Sequence, residues 1–164
     1  MKGDQQVIDY LNKALTNELT AINQYWLHYR TLNHWGVHKL AEYERHESID
    51  EMKHADWLSE RILFLEGLPN FQAIHKLKVG ETVEEILKAD MAMELEAIPL
   101  LREAIAHCEK VQDYVSRDLF RRILDSEEEH VDFLEVQFDQ IELMGLQNYV
   151  QLNSSYAAAG GTGD

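Results

Sequence analysis

The sequence predicts an all-α fold: a four-helix bundle with a long crossover between helices two and three and a short fifth helix at the end. Three observations carry this. Apolar residues recur every three or four positions through four stretches of roughly 28 residues. Only 2 prolines occur in 164 residues, and glycines gather at a few places between those stretches. No alternating apolar and polar run competes as a strand.

The first helix is predicted from about Asp4 to Asn33, with Leu11, Leu15, Glu18, Ile22, Tyr25 and Tyr29 on one stripe. It ends near Trp35-Gly36. The second runs from about Lys39 to Glu66 and stops at Gly67-Leu68-Pro69-Asn70. Residues 67–82 form the crossover. Roughly 16 extended residues reach about 50 Å, enough to run the length of a bundle of helices about 42 Å long. That reach makes helices two and three parallel, while the short outer connections make two antiparallel hairpins. The third helix spans about Val83 to Val111. Thr82 caps it, and Glu85 completes a capping box. Pro99 inside it removes one backbone hydrogen bond and predicts a kink. The fourth helix runs from about Asp113 to Met144, before Gly145. Leu146 to Leu152 is the fifth. The domain is placed at residues 1–156, and the Ala- and Gly-rich stretch 157–164 is expected to be a flexible tail.

The net charge of −15 argues against nucleic acid and anionic membranes as partners. It suits a protein that attracts cations, and it also simply aids solubility. The single cysteine, Cys108, excludes an internal disulfide and a four-cysteine metal ribbon. No apolar h-region opens the chain and no apolar run nears 18 residues, so the expected location is the cytoplasm.

Two Glu-x-x-His pairs stand out: Glu51 with His54, and Glu127 with His130. Residues three apart on a helix share a face, so each pair aims a carboxylate and an imidazole at one point. With 19 Glu and 8 His in the chain, chance gives about one such pair, so position matters more than number. Leu40, Ala55, Leu58, Ile62 and Leu65 lie within about 45° of Glu51 on a helical wheel, so Glu51 points into the core. A buried carboxylate must be paired or bind metal. Glu18 sits on the apolar stripe of helix one and Glu94 on that of helix three. Each helix thus contributes to a six-ligand set of four carboxylates and two imidazoles, which suits iron or manganese better than zinc. The competing expectation for a single glutamate is a buried salt bridge, with Arg61 or Lys53 as partner.

Over nearly its whole length, from Met1 to about Leu152, the chain resembles the bacterioferritins. The resemblance rests on Asn17-Glu18-Leu19, Ala21-Ile22-Asn23-Gln24-Tyr25-Trp26, Glu47-Ser48-Ile49-Asp50-Glu51-Met52-Lys53-His54-Ala55-Asp56, Ile62 to Asn70, and Glu127-Glu128-Glu129-His130-Val131-Asp132-Phe133. It implies a ferritin-like bundle with a ferroxidase centre. Glu18, Glu51 and His54 would serve one iron, Glu94, Glu127 and His130 the other, with Glu51 and Glu127 bridging. Tyr25 would lie near that centre, as an aid to electron transfer or as a core tyrosine. Fe(II) would be oxidised by dioxygen or peroxide and Fe(III) mineral stored in the cavity of a shell of 24 like chains. Two departures stand out: Phe133 replaces a tryptophan common in the family, and the tail is longer.

Met52 lies about 100° round the helix from Glu51, on an outer stripe with Ile49, Arg45 and Asp56. By itself that stripe reads as a subunit contact. The resemblance implies instead that Met52 is an axial ligand to haem b, one haem per pair of chains, with Arg45 and Trp26 flanking the pocket. It also implies an inner iron site at His46 and Asp50, residues that equally suit a solvated polar face, and a ferredoxin-like reductant for iron release. The remaining histidines, His28, His34, His38, His75 and His107, read as surface or loop. Two other readings stay open: a ferritin-like di-iron oxidase or peroxidase that stores nothing, and a haem-bridged electron-transfer shell protein.

Overall fold

The structure, a computed structural model, describes residues 1–155; the expected tail at 157–164 lies outside the described residues. Among the described residues five helices follow in order: α1 (Gln5–His34), α2 (His38–Phe64), α3 (Val83–Lys110), α4 (Tyr114–Met144) and α5 (Leu146–Leu152). Helix α1 packs along α2 and α3 along α4, and α1 also packs on α3. In α1 and α2, Ser48 bonds the carbonyl of Ile22 and His54 faces Glu18, so the two run antiparallel. Glu44 neighbours Asp90 and Glu51 neighbours Glu94, so α2 and α3 run parallel, as the length of the crossover predicts.

The helices begin and end for local reasons. Asp4, Thr82 and Asp113 accept hydrogen bonds from the amides of Val7, Glu85 and Ser116, which satisfies free N–H groups in the first turns of α1, α3 and α4. Glu85 does reach back, but to the amide of Glu81 at 2.8 Å, one residue before the cap, so the box is offset from its predicted form. Three helices close with the same paired bonds. Past α2, Glu66 N–H reaches Leu63 O and Gly67 N–H reaches Ile62 O. Past α3, Gln112 and Asp113 bond Glu109 and Cys108 in the same way, as do Gly36 and Val37 past α1. The left-handed residue is glycine only in α1; elsewhere it is Glu66 (φ 64°) and Gln112 (φ 61°). Helix α2 therefore stops at Phe64, two residues before the predicted end.

The core of the described residues lies in two large blocks and a small third cluster of Ala21, Tyr25 and Met93. One block joins Leu11, Leu15, Leu58, Ile62, Phe120 and Ile123 at one end of the bundle. The other joins Leu32, Leu40, Ile86, Leu87, Leu134 and Tyr149 at the other end, where α5 docks. Between them the apolar filling gives way to buried polar groups, an expensive substitution that cores make only where those groups are used or paired.

The crossover is fastened along α1. Asn12 bonds Leu68 O and Asn70 N–H, Asn17 faces His75, Thr20 takes His75 N–H, Gln24 takes Lys78 N–H, and His28 takes Gly80 N–H. A Cβ on Gly80 would lie 2.4 Å from the Ile86 nitrogen, so the close approach to α3 requires glycine there.

Candidate metal centre

Each of the six predicted ligands is at most 3% exposed and lies between the two apolar blocks. Their positions follow from helical spacing. Glu51 and His54 lie one turn apart on α2, and Glu127 and His130 lie one turn apart on α4. Glu18 enters from α1 and Glu94 from α3. His54 Nδ1 stands 3.3 Å from Glu18 Oε2, 3.4 Å from Glu51 Oε2 and 3.4 Å from Glu127 Oε1. His130 Nδ1 stands 2.8 Å from Glu94 Oε1. Glu18, Glu51, His54 and Glu127 can each offer one ligand atom within 4.8 Å of the others, and so can Glu51, Glu94, Glu127 and His130. Glu51 and Glu127 belong to both groups.

The salt-bridge expectation fails at the two cations named for it. Arg61 bonds Asp113 at 2.8 Å and Ser116 at 2.9 Å, and Lys53 bonds Asp50 at 2.8 Å. The carboxylates of the centre must share protons instead. Burial first, then the charge of Glu127, pushes Glu18 above the ordinary carboxylate range. Burial and Glu18 push Glu51 well up, and burial with Glu51 and Glu94 does the same to Glu127. Glu94 ends below its ordinary value: burial raises it, but hydrogen bonds from Glu127 and His130 outweigh that. Burial disfavours imidazolium at His130, yet the bond to Glu94 wins and lifts it to about 9. At His54 burial is overcome by the carboxylates of Glu127, Glu18 and Glu51 beside it, and its pKa rises. Protons thus occupy the place of cations.

The donor set fits a pair of iron ions. Four carboxylates and two imidazoles, with no sulfur, form a hard to borderline set. Two buried atoms of the centre, Glu127 Oε1 and His130 Nε2, make no hydrogen bond. A cation bound by the Glu127 oxygen would satisfy the first. A narrow opening between α1 and α3, lined by Asn17, Ala21, Met93 and Ala97, leads to Glu18, Glu51, Glu94 and Glu127. A polar depression on another side reaches His54 past Asp50, Asp125, Ser126 and Glu129.

The other predicted residues lie outside this cluster. Met52 is 56% exposed, facing away from the core, and Trp26 is 43% exposed. His46 is exposed, and Asp50 is half-buried with its carboxylate held by Lys53. Tyr25 is fully buried and donates its hydroxyl to Glu94 Oε1. One expectation is corrected: His28 is not a surface histidine but is fully buried, bonded to Asp90 and Gly80. It is held there because its ring fastens the crossover to α1.

Two residues near the centre escaped the sequence. Glu47 Oε2 lies 3.5 Å from His130 Nδ1, and the Tyr43 ring, within hydrogen-bonding reach of Glu47, stacks on Phe133 with centroids 3.4 Å apart. Glu47 falls four residues before Glu51, a spacing that would have placed it beside that face.

The Ferritin-like domain family matches residues 8–144. A bacterioferritin of Brucella melitensis is 50% identical over 96% of this chain and 98% of its own length. Bacterioferritins of Streptomyces coelicolor and Rhodobacter capsulatus are 49% and 48% identical, over 92% and 94% of this chain and 90% and 96% of their own lengths. With a bundle of this topology and a core centre that joins all four long helices, identity of this extent over nearly the full length makes the chain a member of the bacterioferritin family.

Proposed function

We propose that this chain stores iron and that its core centre is a ferroxidase. Two Fe(II) ions are the substrate. Glu18, Glu51 and His54 bind one, Glu94, Glu127 and His130 the other, and Glu51 and Glu127 span both. The sharing of those two carboxylates between the two ligand groups is the observation that carries this reading. Each Fe(II) gives up one electron. Dioxygen takes both, with two protons, and leaves as hydrogen peroxide; peroxide as oxidant takes two electrons and two protons and leaves as water. The protons that the apo centre holds on its carboxylates and imidazoles are released as the ions enter.

Fe(II) arrives through the opening beside Asn17 and Met93, helped by a net charge of −15. Fe(III) passes into the cavity of a closed homo-oligomeric shell, expected to hold 24 chains. Met52 presents a thioether on the outer face of α2, suited to an axial bond to haem b shared by two chains. A haem there would carry electrons inward from a ferredoxin-like reductant, and His46 and Asp50 would receive iron at the inner surface. Among the described residues no helix is long and apolar enough to cross a membrane.

Glu51→Ala or His54→Ala should abolish fast Fe(II) oxidation while haem stays bound; unchanged kinetics would overturn the site. Iron per chain after aerobic Fe(II) addition, on size-separated material, tests storage. Iron far above two per chain in a large assembly is the expected result. A plateau at two per chain in a small oligomer would favour a di-iron oxidase that stores nothing.

A further inference from the structure

Beyond the iron centre, the core holds a second charged layer that the oxidation chemistry does not use. It lies seven residues before Glu51 on α2, about 10 Å along that helix. Glu44, Asp90 and His28 are each 0% exposed. Asp90 Oδ1 accepts from Gln24 Nε2 at 2.9 Å and from His28 Nδ1 at 2.9 Å. Asp90 Oδ2 and both oxygens of Glu44 have no donor beside them, and the two carboxyl groups lie within hydrogen-bonding reach of each other. One ligand atom from each of the three residues lies within 4.8 Å of the others.

The Gly80 amide settles the charge of His28. Its N–H donates to His28 Nε2 at 3.1 Å, so Nε2 bears a lone pair. The ring is then neutral, with its one proton on Nδ1, where it is donated to Asp90. His28 brings no positive charge and no free nitrogen. Gln24 is neutral. On the far side Tyr149 donates to Gln137 Oε1 at 2.8 Å, another neutral pair. The charges that weigh most on Glu44 are Asp90, Glu47 and Glu94, all acidic. Two facing carboxylates, fully buried and with acidic charges weighing most on Glu44, call for a proton, a water or a cation between them.

We propose that Glu44 and Asp90 form a second cation site, which takes a hard divalent metal ion, with His28 and Gln24 as the braces that aim Asp90 Oδ2 at it. Three unpaired carboxylate oxygens and no sulfur select an oxygen-seeking ion. Bond lengths of about 2.1–2.4 Å suit an ion between a Glu44 oxygen and an Asp90 oxygen that lie within 4.8 Å of each other. The His28 contact to Asp90 is the bracing that metal-binding groups ordinarily receive from outside their coordination shell. An ion there would join α2 to α3 directly, and through His28 would hold α1 and the crossover as well. It would be structural, set apart from the oxidation centre.

The competitor is a proton: with no ion present, burial and the facing Asp90 push the Glu44 carboxyl well above its ordinary range. Crystals of mineral-free protein grown anaerobically with Mn(II) distinguish the two. The expected anomalous difference map has a peak between Glu44 and Asp90 Oδ2, absent in Glu44→Gln crystals. Mn(II) retained per chain after desalting should fall by one in that variant, with oxidation-centre ions retained. A wild-type map without the Glu44 peak overturns the proposal and leaves a shared proton as the neutralising species; equal Mn(II) retention by the two proteins does the same. Should Glu44→Gln fail to fold, the wild-type map alone decides.

Discussion

Tyr25 donates its hydroxyl to Glu94 Oε1, the oxygen that also faces His130 Nδ1 at 2.8 Å. One carboxylate oxygen therefore takes two donors, one from α1 and one from α4. This holds Glu94 in place without a metal. Tyr25→Phe removes the neutral donor and leaves the ring in the core. A hydrogen bond to a charged group is worth roughly 1.5–3 kcal/mol. The initial rate of Fe(II) oxidation should fall about tenfold in stopped-flow measurements, while the number of Co(II) ions bound per chain stays the same.

Loading the centre should release protons. Glu51 and Glu127 are raised well above the ordinary carboxylate range, chiefly by burial, and His130 rises to about 9. A raised pKa extends proton occupancy to higher pH, so metal competes with protons through neutral pH. Zn(II) binding in weak buffer should acidify the solution, and affinity should drop as pH is lowered from 8 to 6. Each proton displaced contributes up to about tenfold per pH unit. Calorimetry in buffers of different ionisation heat counts the protons; pH-independent affinity would contradict the proton-filled centre.

Asp113 joins the caps to the packing. It accepts from Ser116 N–H at 3.0 Å, Ser116 Oγ at 2.6 Å and Arg61 Nη2 at 2.8 Å. Burial raises its pKa, but Ser116 and Arg61 outweigh that and hold it below the ordinary value of 3.8. A depressed folded pKa gives stability that is present above the unfolded value and lost as pH falls through the folded one. Asp113→Ala should cost about 1–2 kcal/mol at pH 7. Thermal unfolding should show that deficit unchanged down to about pH 4 and shrinking below it.

On the proposed function, Met52→Ala should remove haem absorbance and spare Fe(II) oxidation, because the thioether lies on the outer face and the carboxylate and histidine centre in the core. A normal haem spectrum in that variant would sink the assignment.

Gly80→Ala places a Cβ 2.4 Å from the Ile86 nitrogen and 2.7 Å from its Cα. Backbone cannot yield as a side chain tip does, so the variant should lose about 1–3 kcal/mol. The shift should also disturb the His28 contact, visible as a changed imidazole resonance.

Much of this was legible in the chain because it depends on local rules. The 3.6-residue period marked the four long helices and a short apolar piece the fifth, and three-residue spacing paired Glu51 with His54 and Glu127 with His130. Reading carboxylates off apolar stripes found Glu18 and Glu94. Other features depend on what lies across the bundle. Glu44 shares the stripe of Glu51 but has no histidine three residues on, so nothing local marked it. His28 looked peripheral because its partners, Asp90 and Gly80, lie 62 and 52 residues away. The early stop of α2 was hidden because Glu66, not glycine, takes the left-handed conformation.

The crossover keeps a register although it is not a strand. Its contacts climb in step, from Leu68 against Asn12 to Gly80 against His28, so 13 residues of loop are matched to 17 residues of helix. Surface connections ordinarily absorb insertions at small entropic cost. This one behaves as a ruler laid against α1. One added residue near Pro69 would put His75, Lys78 and Gly80 out of step with Asn17, Gln24 and His28 together. Exposed side chains such as Phe71 and Ile74 are free to vary in kind, but the number of residues that carry them is fixed by the helix beneath.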